Sequence, residues 1–193
     1  MPLPGEHPEI RYTYGDYLTW PDGERWELFG GEPRAMTPGP NRRHQELLIS
    51  RGSTFHAYLV GKTCRVYPAP FDVRLSRGAE SDEAVDTVVQ PDLLVVCDPA
   101  KLDDRVCRGA PDLVVEITSP STASLDPIRK KTLYERHGVR EYWLVHPVDR
   151  VVMVYRLGAD GAFGAPAVYG PEDTIPVGLF DDLTVDLREV FRE

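Results

Sequence analysis

Apolar positions along the chain fall into short blocks with two different periods. Residues 113–117, Leu-Val-Val-Glu-Ile, form an apolar run rich in β-branched side chains, which predicts a buried strand. Residues 124–137 have helical character and stop at Gly138, a suitable residue for a helix C-terminus. Residues 141–145, Glu-Tyr-Trp-Leu-Val, read as a second strand. Strand, helix, strand in that order predicts a crossover joining two parallel neighbours.

Upstream, residues 12–18 predict a short helix opening at Thr13 or Tyr14. Residues 25–28 and 32–36 flank Gly30-Gly31 and predict a hairpin. Residues 43–59 carry apolar side chains at helical spacing, with Gly52 as a weak point. Residues 64–75 are extended but interrupted by Pro68 and Pro70, as two strands or one with a bend. The polar and acidic residues 76–87 predict an exposed loop, residues 88–97 one buried strand, and residues 99–109 a connection. Residues 151–157 predict a strand, 159–164 a hairpin tip, 167–176 weak strand character and 183–191 a packing cap. Pro21-Asp22-Gly23, residues 37–41 and Ser119-Pro120-Ser121 mark turns or loops, and residues 1–10 a loose tail. The expected class is α/β, one domain over 1–193 with a mixed sheet flanked by helices.

Composition adds limits. With 193 residues, 41% hydrophobic and 27% charged, the chain is long enough for one real core. No apolar run approaches the about 18 residues of a membrane span, and no signal peptide is visible at the start. Cys64, Cys97 and Cys107 are odd in number and form no CxxC pair, so the expectation is no disulfide framework, no cysteine zinc site and a reducing cytoplasm. A net charge of −9 argues against a protein that coats nucleic acid, while leaving room for a metal held among carboxylates.

Two apolar strands each carry one acid, Asp92 in QPDLLVV and Glu116 in LVVEITS. A carboxylate inside such a strand needs a partner or a cation. If the strands are neighbours the two acids converge, and two hard oxygens with a backbone carbonyl suit Mg2+ or Mn2+. The following helix offers Lys130 or Lys131, with Tyr134 four residues beyond Lys130 on the same face. Competing structural roles are a salt bridge for Glu116, a turn cap for Asp92 and a solvated helix face for the lysines. Asp72 in FDVRL is either a further ligand or an ordinary polar strand position. His44 is a phosphate contact, a donor behind the site, or a capping residue. Glu27 in WELF supports the site from the hairpin or serves only packing. Tyr134 packs under the site, His146 is expected to be exposed, and Cys97 and Cys107 inert.

The segments QPDLLVV, GAPDLVVEITSPST and GVREYWLVHP, with RWELFGGE, FDVRL and GLFDDLTVDLREVF, resemble the Uma family of endonuclease-like proteins. That family lies within the PD-(D/E)XK, restriction-endonuclease-like superfamily, and the resemblance runs over about residues 12–191. It implies a nuclease core of mixed sheet and helices, Mg2+-dependent hydrolysis of DNA, and a homodimer. It also implies that Asp92 and Glu116 are the paired acids. One departure is Thr118, where the superfamily pattern has lysine two residues after the second acid; in this family Lys130 on the helix aligns with that role, with Lys131 as its neighbour. Two other readings are a non-catalytic binding module on the same fold, and a hydrolase of a small phosphorylated substrate.

Overall fold

The computed structural model describes residues 9–21, 24–36, 41–78, 80–118 and 126–191. The expected tail before residue 9, the Asp22-Gly23 turn, most of the 37–41 loop and the Ser119–Ser121 turn lie outside them. In chain order the elements are α1 (Tyr14–Tyr17), β1 (Trp26–Phe29), β2 (Glu32–Ala35), α2 (Arg42–Leu59), β3 (Arg65–Pro68), β4 (Asp72–Arg74), β5 (Val88–Val89), β6 (Leu93–Val96) and β7 (Val106–Arg108). They continue with β8 (Leu113–Ile117), α3 (Asp126–His137), β9 (Glu141–His146), β10 (Val151–Arg156), β11 (Ala167–Tyr169), β12 (Thr174–Pro176), β13 (Thr184–Asp186) and α4 (Leu187–Val190).

A six-stranded mixed sheet in the order β11-β10-β9-β8-β6-β3 forms the centre. Within it β8 and β9 are parallel and joined through α3, as the strand–helix–strand pattern predicts, and β6 runs antiparallel to β8. Strand alternation splits the core in two. Leu93, Val95, Leu113, Val115, Trp143 and Val145 face α2, where Leu47, Leu48, Phe55 and Leu59 cover them. Leu94, Val96, Val114, Tyr142 and Leu144 face the other way, toward Tyr134 of α3 and toward Val73, Leu75 and Val89. Each fully buried aliphatic side chain contributes roughly 1.5–3 kcal/mol.

Of these last three, Val73 on β4 and Val89 on β5 belong to a second sheet, β2-β1-β5-β4-β7, and Leu75 directly follows β4. Here the structure corrects the reading of residues 88–97 as one strand. Gln90, Pro91 and Asp92 break the run, β5 pairs with β1 and β4, and β6 pairs with β3 and β8. The proline has no N–H for a ladder, so the apolar run changes sheets there. Residues 64–75 divide likewise, β3 in one sheet and β4 in the other, and the connection at 99–109 contains β7. The 76–87 loop is exposed for much of its length but buries Val85 and Thr87. The β1–β2 hairpin turns at Gly30 and Gly31, with φ of 60° and 81°, the left-handed pair that a two-residue turn of this hand requires. Thr13 caps α1, and Gly138 (φ 80°) follows α3.

The cysteines differ from expectation. Arg65 lies opposite Val96, so one step further along β3 and β6 brings Cys64 opposite Cys97, and the two are disulfide-bonded. Thirty-three residues separate them in sequence, and only the strand pairing brings them together. The bond removes the cysteine argument for a reducing compartment. Cys107 is buried and free, and burial pushes its thiol up to about 12. Thiol titration of the denatured protein should therefore find one reactive thiol before reduction and three after it. In the chain-entropy picture, closing a loop of this length stabilises by about 3–4 kcal/mol, so a reductant should lower the urea midpoint clearly.

Candidate active site

Asp92 immediately precedes β6, and Glu116 lies within β8. Leu93 stands opposite Val115, so the same register sets Asp92 opposite Glu116, on the face of the sheet that looks toward α3. Asp92 Oδ2 accepts the Ile117 backbone N–H at 2.7 Å, and His44 Nε2 lies 3.2 Å from Oδ1. His44 is there because Asn41 caps α2 and starts the helix at that end of the sheet.

Glu116 is held from the opposite side. Tyr134 of α3 donates its hydroxyl to Oε1 at 2.7 Å, and Lys130, one turn earlier, sits 3.2 Å from Oε1 and 3.3 Å from Oε2. The spacing of four residues puts both on one helix face, as the sequence predicts. The Glu116 side chain is 12% exposed, that of Asp92 20%, and that of Lys130 5%. Burial pushes the Glu116 carboxyl up to about 8; the Lys130 ammonium opposes this, and the charges of Asp92 and Glu27 add to it. Burial, and then Glu116, raises the Tyr134 hydroxyl far above the usual phenol range.

Glu27 enters from β1 of the second sheet. Its Oε1 is 3.0 Å from Lys130 Nζ and accepts the Gln90 backbone N–H at 2.9 Å. Lys130 thus bridges carboxylates from two sheets. Asp72 on β4 is one step removed: it accepts from the Gln90 side-chain amide at 2.7 Å and from Tyr17 at 3.3 Å, and burial raises its carboxyl. Lys131 is elsewhere. It pairs with Glu135 at 3.5 Å and sits over the Tyr155 and Phe163 rings, away from Glu116 and Glu27. Asp112, at the far end of β8, accepts the Cys97 N–H.

Gln90 escaped the sequence reading, although a lone amide in the run VVQPDLLVV is a signal of the same kind as Glu116. Its side chain takes two hydrogen bonds from Arg25 and gives two, to Tyr17 and Asp72. His146 is not simply exposed: it is the last residue of β9 and half-buried, with its Nδ1 3.4 Å from Thr118 Oγ1.

With α2 on one face, α3 on the other and the acids at one sheet edge, the architecture can be compared with known proteins. Residues 14–188 match the profile of the Uma2 family, described as "Putative restriction endonuclease". The chain belongs to the Uma2 family. The uncharacterized protein slr1290 of Synechocystis is 27% identical over 163 residues, 83% of this chain and 78% of that protein. The crystal structure of a "putative nuclease belonging to DUF820" from Anabaena variabilis superposes with a TM-score of 0.73 at 20% identity, over 93% of this chain and 97% of that one. The fold is thus restriction-endonuclease-like.

In the Uma2 site two carboxylates, Glu116 and Glu27, pair with one ammonium, and a third, Asp92, adds its negative charge beside Glu116. Among the described residues no three His, Cys, Asp or Glu side chains converge as a ready-made metal cage. Magnesium and manganese need no such cage: one or two carboxylates suffice, with waters and phosphate oxygens completing the shell. The excess of carboxylate and its desolvation are what a divalent cation would relieve, so Asp92 and Glu116 fit such an ion.

Proposed function

We propose that this Uma2 protein is a metal-dependent endonuclease that hydrolyses phosphodiester bonds in DNA. The observation that supports it most is the meeting of Asp92, Glu116 and Lys130 from two adjacent strands and the following helix. Asp92 and Glu116, with the Ile117 carbonyl, would hold Mg2+ or Mn2+. The ion, when bound, would polarise a phosphoryl oxygen and acidify a water. Ile117 N–H and His44 fix the orientation of Asp92, and Tyr134 does the same for Glu116. Lys130 offsets negative charge developing on the phosphate; buried between Glu116 and Glu27, it does so in a medium where charge counts for more than in water. Contacts with Glu27 and Glu116 fix its position.

The expected result with plasmid DNA is cleavage that requires Mg2+ or Mn2+, lost in Asp92→Asn and reduced roughly 10²–10³-fold in Lys130→Gln. Lys131→Gln, altered on the other side of α3, should cleave as the parent does. Absence of divalent-dependent cleavage by the parent, or full activity of Asp92→Asn, overturns the proposal.

A second reading, a binding module that keeps these acids for structure, is favoured by one observation. The pocket between Glu116, Thr118, Lys130 and Leu144 is about 30 Å3, room for about two waters. Tight DNA binding without cleavage, unchanged by Asp92→Asn, would support it.

A further inference from the structure

Hydrolysis by water needs a group that takes a proton from the attacking oxygen. The residues already described are committed. Lys130 is a clamped ammonium, Asp92 is engaged by Ile117 N–H and His44, and Glu116 accepts from Tyr134 and Lys130. The same row of the sheet continues outward, however. Glu116 is beside Leu144 and Ile117 beside Val145, and the Thr118 N–H donates to the Val145 carbonyl at 2.9 Å. Thr118 and His146 are the next pair. Alternation puts Glu116, Thr118, Leu144 and His146 on one face. Two residues along one strand and one strand across set the His146 backbone about 8 Å from that of Glu116, a gap two side chains and a water can fill.

The Thr118 hydroxyl has one proton, and it donates it to the Val145 carbonyl at 3.1 Å. The contact between Thr118 Oγ1 and His146 Nδ1, 3.4 Å, is then made by an Nδ1–H donating to the hydroxyl oxygen. That tautomer leaves the lone pair on Nε2, which makes no hydrogen bond among the described residues. The ring is half-buried, so water reaches it. Thr118 also lines the small pocket beside Glu116 and Lys130.

We propose that His146 is a catalytic residue of this site, its Nε2 accepting the proton of the attacking water; this rests on the nuclease reading above. One O–H bond of water breaks and its proton goes to Nε2, while the oxygen's electron pair forms the new P–O bond. The opposite P–O bond breaks, its electron pair leaves on the departing sugar oxygen, and that oxygen takes a proton from solvent. The imidazolium returns its proton to solvent, and nothing is oxidised or reduced. Thr118, two residues after the acid, serves here as a positioning residue that sets the tautomer of the base.

His146→Asn keeps an N–H that can reach Thr118 but has no basic nitrogen. With plasmid and Mg2+, kcat should fall roughly 10²–10⁴-fold with little change in KM, and added imidazole should restore part of the activity of His146→Gly. A readout without turnover is long-range proton–nitrogen NMR of the neutral ring. The Nδ1–H form is expected in the parent and its loss in Thr118→Val. Unchanged kcat in His146→Asn, or an Nε2–H ring in the parent, overturns the assignment. If the parent cleaves and Asp92→Asn does not while His146→Asn keeps its kcat, this inference alone falls. If the parent never cleaves, the nuclease reading falls and takes this one with it.

Discussion

Glu116→Gln is expected to abolish cleavage and, above neutral pH, to make the protein more stable. In the proposed mechanism the activity loss should be roughly 10³-fold or more, because the substitution would remove an anionic oxygen ligand of the ion and with it several kcal/mol of stabilisation at the reacting phosphate. The gain in stability follows from burial. Burial holds the Glu116 carboxyl at about 8 in the folded protein, against about 4.5 for a free glutamate side chain. The folded protein therefore binds this proton more tightly than the unfolded chain does. The associated stability is fully present below about 4.5 and is lost as pH rises through about 8. Glutamine has the same shape, still accepts from Tyr134 and has no charge to desolvate. Thermal melts should coincide for parent and variant near pH 5 and separate by several degrees in favour of the variant near pH 9. Equal melting temperatures across that range would mean that Glu116 is not desolvated as described.

Arg51→Met should stabilise the fold by about 1–4 kcal/mol without loss of cleavage. Arg51 lies on α2, fully buried, with its guanidinium carbon 5.9 Å from the centre of the Trp143 ring. Its Nε, Nη1 and Nη2 atoms are all buried and have no hydrogen-bond partner among the described residues. The ring face offsets part of the desolvation, roughly 2 kcal/mol at best. Burial pulls the guanidinium down to about 9, so it is still charged at neutral pH. Above about 9 and up to the ordinary guanidinium range the unfolded chain binds the extra proton, so the parent should gain stability as pH rises across that window while the Met variant does not. Urea midpoints at neutral pH test the main effect; a lower midpoint in Arg51→Met would show that the cation contributes more than its burial costs. Trp143 faces α2 while Glu116 faces α3, which is why activity should survive.

The part of the site built by local pattern was legible in the sequence. Residues 113–117, α3 and β9 alternate and cap as their composition dictates, and an acid inside an apolar strand advertises a partner. Asp92 and Glu116 could be paired in advance because each occupies the same kind of run. What escaped depends on long-range pairing. The break at Gln90-Pro91 sends β5 and β6 into different sheets; the proline marks the interruption, but the strands that each half pairs with lie far away in the chain. Glu27 reaches Lys130 only because β1 joins β5. Cys64 and Cys97 meet only because β3 lies along β6. His146 follows the apolar run 141–145 and reads as exposed, yet it is the last residue of β9, half-buried, with its ring against Thr118. The arginine at position 51 fits the helical spacing of an apolar stripe, a polar residue where the period demands an apolar one.

The acids of this site are fixed to the backbone of two hydrogen-bonded strands, whereas the lysine rides on α3, a separate body packed over them. A sheet cannot shift one side chain without breaking its ladder, but a helix can tilt or slide by fractions of an ångström as its packing residues change. Substitutions under α3, at positions such as Leu133 or Tyr142, would therefore move Lys130 and Tyr134 together against Glu116, while the strand ladder keeps Asp92 opposite Glu116.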